Sequence, residues 1–89
     1  MTSVRCDIID VSGRPVAGTL YIRPITYTPN GDALIAPEAT RFDIPKGGSS
    51  VNLAAGPARI VIETQRSRRA ADIVVPPTGY ASLASLIGA

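Results

Sequence analysis

The sequence predicts an all-β domain, an antiparallel sandwich of about seven strands with a short C-terminal helix. Three observations carry this. Short runs of alternating apolar and polar residues recur along the 89-residue chain. Gly- and Pro-containing turn signals separate them at fairly even spacing, the pattern of a sandwich or small barrel. A single segment, near the end, has a helical period instead.

Residues 4–11 form the first expected strand. Val4, Cys6 and Ile8 alternate with Arg5, Asp7 and Ile9, and the phase slips near Ile9-Asp10. The stretch Val11-Ser12-Gly13-Arg14-Pro15 turns the chain, with Gly13 supplying backbone freedom and Pro15 a fixed φ. Residues 17–27 follow as a strand interrupted by Pro24, which marks an edge or a bulge. Pro29-Asn30-Gly31-Asp32 is a strong turn signal, and 33–36 is a short apolar run that Pro37 ends.

Thr40–Ile44 alternates with Thr40, Phe42 and Ile44 inward, and Pro45-Lys46-Gly47-Gly48 turns into 50–54, where Val51 and Leu53 share a face. After Ala55-Gly56-Pro57, residues 58–65 hold the β-branched run Ile60-Val61-Ile62, the strongest strand signal. Arg66-Ser67-Arg68-Arg69 reads as a charged hairpin tip before a strand at 70–75, which ends at Pro76-Pro77. In the tail, Tyr80, Leu83, Ala84 and Ile87 follow i, i+3, i+4, i+7. Thr78 or Gly79 leads into this helix and Gly88 ends it. The chain thus divides into a β-sandwich, 1–77, and a C-terminal docking segment, 78–89. Seven strands also suit an immunoglobulin-like sandwich, but the Cys–Trp–Cys pattern of antibody domains is absent.

Composition narrows the function. The apolar fraction, 45 %, is that of a globular protein, and with no Trp and only four aromatics the core is expected to be aliphatic. Net charge is +2, split as −1 over residues 1–45 and +3 over 46–89, too small an asymmetry for a nucleic-acid footprint. Cys6 is the single cysteine, so no intrachain disulfide forms, and its inward phase reads as a small hydrophobe. No apolar leader region follows Met1 and no stretch has transmembrane length, so no secretion signal and no membrane partner are expected.

Catalytic chemistry has little to work with. The chain has no His, which removes the commonest general base and the commonest transition-metal ligand. The carboxylates are scattered, and one Cys makes no thiolate cluster. Lys46-Gly47-Gly48-Ser49-Ser50 lacks the residue order of a phosphate loop and lies between strands, so it reads as a turn. Asn30-Gly31-Asp32 with Glu38 lacks EF-hand spacing. Not an enzyme, no metal and no cofactor are the expectations. The Arg66, Arg68 and Arg69 cluster is either a partner contact or a solvated tip, and no aromatic lies near it for stacking on nucleic acid.

Two portions of the chain carry a resemblance. Val11-x-Gly13-x-Pro15-Val16-x-Gly18 with Leu20-x-Ile22, and later the run from Leu53 through Gly56-Pro57 to Ile62, resemble transthyretin-like (prealbumin-like) and carboxypeptidase-regulatory-like β-sandwiches. Asp72-Ile73-Val74-Val75-Pro76, a polar turn, and then Tyr80 through Ile87 resemble the ending of small β-domains in minor tail proteins of actinobacterial phages, departing at Ser82 and Ser85 where acidic residues are usual. The resemblance implies a non-enzymatic structural or adhesion module of a phage or prophage tail, in the virion and assembled in the host cytoplasm. Its partners would be other tail proteins or copies of itself, as a homo-oligomer. From the residues themselves, the candidate interface is the apolar stripe Tyr80, Leu83, Ala84 and Ile87 with Arg66, Arg68 and Arg69; the alternative for the stripe is to fold back onto its own sandwich. The alternative is a ligand-binding accessory domain, for instance for glycans, although so few aromatics supply no sugar platform.

Overall fold

Residues 2–77 and 79–87 are described by the computed structural model. The elements run β1 (Thr2–Cys6), β2 (Gly18–Pro24), β3 (Thr28–Asn30), β4 (Ala33–Ile35), β5 (Thr40–Ile44), β6 (Ser49–Leu53), β7 (Gly56–Glu63), β8 (Arg68–Val75), β9 (Tyr80–Ser82) and α1 (Leu83–Ile87). Among the described residues, seven strands form two sheets, β6-β1-β9 and β5-β2-β7-β8, while β3 and β4 pair only with each other. The chain is therefore an all-β sandwich with one short C-terminal helix. It departs from the antiparallel expectation at one place, where β9 runs parallel to β1 with Val4 opposite Ala81.

Alternation explains why the two sheets share a core. Thr2, Val4 and Cys6 of β1 and Val51 and Leu53 of β6 point inward from one sheet. Leu20, Ile22, Ile44, Ala58, Ile60, Ile73 and Val75 meet them from the other, with Phe42 at the margin. Registers agree with that phase: Ile22 lies opposite Ile60, which lies opposite Ala71. A one-residue slip would turn these side chains to solvent, so burial itself fixes the pairing. Thr2 is the one buried polar side chain among the described residues, and its hydroxyl donates to the Pro76 carbonyl, tying the start of β1 to the end of β8.

Three expectations shift in detail. The first strand stops at Cys6, and the phase slip near Ile9 marks a reversal in which Ile9 bridges Pro15. The run at 17–27 divides into β2 and β3, and β2 is a central strand rather than an edge. Its Pro24 is tolerated because β5 ends opposite Ile22, leaving Pro24 a neighbour on one side only. Tyr80, Ala81 and Ser82 form a strand where a helix was expected, and Thr78 and Gly88, expected at its ends, lie outside the described residues.

The turn between β5 and β6 is closed by the Gly48 N–H donating to the Pro45 carbonyl at 3.0 Å. Gly47 and Gly48 have φ of 89° and 83°, in the left-handed region. Gly48 is doubly constrained, since a Cβ there would lie 2.6 Å from the Cys6 carbonyl oxygen and would also strike the Asp7 carboxylate.

Candidate functional site

Strand alternation and the capping of α1 decide where each candidate side chain of the tail lies. Tyr80 is the first residue of β9 and is 67 % exposed. Ser82 caps α1: its hydroxyl oxygen accepts the Ser85 N–H at 3.2 Å, and the Ser85 hydroxyl donates to the Ser82 carbonyl at 2.9 Å. This pairing gives the two serines a structural use. Because the helix begins at Leu83, its inward face is Leu83, Leu86 and Ile87, with Leu83 in the core, and Ala84 faces solvent. The candidate stripe thus splits, with Leu83 buried, Ile87 half-buried, and Tyr80 and Ala84 exposed. Leu86 falls outside a helical period that starts at Tyr80, because Tyr80 lies in a strand and the helix starts at Leu83.

The arginines also separate. Arg66 sits in the loop between β7 and β8, where the Thr64 N–H donates to the Ser67 carbonyl at 2.8 Å. Arg68 and Arg69 belong to β8, opposite Glu63 and Ile62. Arg68 approaches Glu63 at 4.0 Å, an exposed pair of little energetic weight. Beside the tip is a wide depression of about 710 Å³, lined by Ile9, Arg14, Lys46 and Arg66 among others.

At the opposite end of the sandwich the β3–β4 hairpin forms an apolar surface. Asn30 pairs with Ala33 around a two-residue turn in which Gly31 has φ of 64°. Pro29 lies opposite Leu34, and Tyr27 immediately precedes β3. Tyr27 and Leu34 are 63 % and 67 % exposed. In the other phase, Ile35 lines a groove of about 160 Å³ with Ile22, Phe42, Leu53 and Pro57. That volume is below the roughly 300–1,000 Å³ of small-molecule sites. Sequence reasoning singled out the Asn-Gly-Asp turn but not the side chains flanking it.

The polar groups are largely engaged locally. Asp10 Oδ1 accepts the backbone N–H groups of Ser12 and Arg14 at 2.9 and 3.0 Å and the Ser12 hydroxyl at 2.6 Å. The Ser12 hydroxyl foremost, then these N–H groups, hold its carboxyl below the ordinary range. Asp72 is lowered chiefly by its hydrogen bond from Arg59, whose Nε lies 2.9 Å away. Arg5 pairs with Asp7 and Arg41 with Asp43, both at 3.1 Å. Cys6 is buried, and desolvation pushes its thiol up. Among the described residues no three potential ligands gather as a metal would need. Lys46 through Ser50 lies at the turn into β6, with no helix following it.

The sequence matches no family model, and a search of the curated proteins finds no match.

Proposed function

We propose that the chain is a non-enzymatic structural or adhesion module of a phage or prophage tail, assembled in the host cytoplasm and acting in the virion through protein–protein contacts. The observation that carries the contact part is the β3–β4 hairpin, which among the described residues pairs with no other strand; Leu34 within it and Tyr27 just before it are turned to solvent. Large exposed apolar side chains grouped on one element mark contact surfaces. Tyr80 and Val74, each 67 % exposed, add apolar surface elsewhere. The tail assignment itself rests on the residue pattern from Asp72 to Ile87, and the non-enzymatic reading on a sequence without histidine.

Immunogold labelling of phage particles induced from a strain that carries the gene tests this reading. Label on the tail is the expected result. Particles without label, with the chain recovered only outside them, would overturn it. Replacing Tyr27 and Leu34 together by Ser would then be expected to leave the domain folded and remove the chain from the particles.

A further inference from the structure

Four strands end the two sheets: β5 and β8 in one, β6 and β9 in the other. An edge strand offers unpaired N–H and C=O groups to another strand, and side-chain charge decides which partners are accepted. β5 reads Thr-Arg-Phe-Asp-Ile. Its charges are antisymmetric about Phe42. When this strand pairs antiparallel with a second copy about a twofold axis through Phe42, Arg41 of each copy faces Asp43 of the other. Thr40 then faces Ile44, and Phe42 faces Phe42. Residues brought opposite each other differ by an even number, so the inward and outward phases of the two sheets match.

The other edges are less suited to a second copy. β8 also has a symmetric register, with Arg68 facing Asp72, but Asp72 is held by two hydrogen bonds from Arg59 and α1 packs beside β8. β6 carries no charge, and β9 is three residues long. In β5 the side chains of Arg41 and Asp43 are 62 % and 77 % exposed and, among the described residues, pair with each other along the strand. Phe42 is half-buried at the rim of the apolar groove. Across that groove, β6 of the other sheet turns Ser50 and Asn52 outward and itself carries no charge.

We infer that two copies of this chain associate through β5, in the register that places Arg41 opposite Asp43 and Phe42 on the twofold axis, joining two four-stranded sheets into one of eight. This goes beyond the tail reading and stands without it, since the dimer is a property of the purified chain and the immunogold experiment reads something else.

Sedimentation equilibrium of the full chain over a wide concentration range tests it. The wild type is expected to show a monomer–dimer equilibrium. R41D and D43R each set like charges opposite one another twice and should weaken association about tenfold or more. An equimolar mixture of R41D with D43R restores opposite charges at both positions and should associate more tightly than either variant alone. The double swap R41D/D43R should regain the wild-type behaviour. Circular dichroism melts check that the variants fold, and the mixture keeps the test decisive if one of them is weakened. A wild type that stays monomeric at millimolar concentration overturns the inference, and so do single variants that dimerise as well as the wild type.

Discussion

Replacing Leu83 by alanine asks whether the C-terminal segment belongs to the core. Leu83 is 3 % exposed and clusters with the strand residues of both sheets. Truncating a buried leucine costs about 2–5 kcal/mol, the sum of lost transfer energy and the cavity left behind. α1 has only five residues, so the site relaxes more readily than one deep between sheets, and we expect about 2–3 kcal/mol. In a domain of this size each kcal/mol moves the melting temperature by roughly 4–8 °C, so Tm should fall by about 8–24 °C. Ala84, one residue on and exposed, serves as the control: Ala84→Gln should stay within about 0.5 kcal/mol. Thermal and urea unfolding are followed by circular dichroism in dilute protein and again at a hundredfold higher concentration, so that association does not enter the comparison. A Leu83→Ala variant as stable as the wild type in dilute solution would refute the reasoning, because a core leucine cannot be silent.

Glycine substitutions at the β5–β6 turn should separate backbone strain from collision. Gly47→Ala meets no atom and should cost only the left-handed φ, about 1–2 kcal/mol, whereas Gly48→Ala also strikes the Cys6 carbonyl and should cost clearly more by urea unfolding. For pH, the folded-state pKa of Asp10 is depressed, so its contribution is present above the unfolded value near about 3.9 and is lost as pH falls through the lower folded value. The stability advantage of wild type over Asp10→Asn should therefore vanish in strong acid and return above about pH 4, and an advantage that grows on acidification would contradict the loop's hydrogen bonding. Neutralising Arg66, Arg68 and Arg69 together should shift stability by less than about 0.5 kcal/mol, and an unfolded triple variant would make those arginines partners inside the domain.

Much of the fold was legible because its information is local. Val4 with Cys6, Val51 with Leu53, and the Ile60 run each expose their inward phase in a few residues, and the structure buries those side chains. What escaped depends on distant partners. Nothing in Tyr80-Ala81-Ser82 prefers a strand strongly; the segment is extended because β1 lies beside it, and that neighbour is 77 residues away, as Ser3 opposite Tyr80 shows. Once those three residues leave the helical count, Leu86 enters the apolar face and Ala84 leaves it. Pro24 was readable as a strand interruption, but its place in a central strand depends on where β5 ends. The hairpin turn at Gly31 was legible, while the exposure of Tyr27 and Leu34 was not, because alternation does not say which face meets the rest of the molecule.

The position of β1 bears on how the chain acquires its structure in time. This strand is the middle of its sheet, yet its neighbours are β6 and β9, with Thr2 facing Leu53 and Ser3 facing Tyr80. Pairings so distant in sequence close large loops, which places folding on the order of milliseconds to seconds. At a synthesis rate of about 5–20 residues per second, Tyr80 follows Thr2 from the ribosome by roughly 4–16 s. Throughout that delay the strand that will become a sheet's centre has at least one open edge. Arg5 is its only charged side chain, and in the finished domain Arg5 is held by Asp7 and the Gly47 carbonyl. Before those partners are in place, that single charge is the strand's guard against pairing with a neighbouring nascent chain.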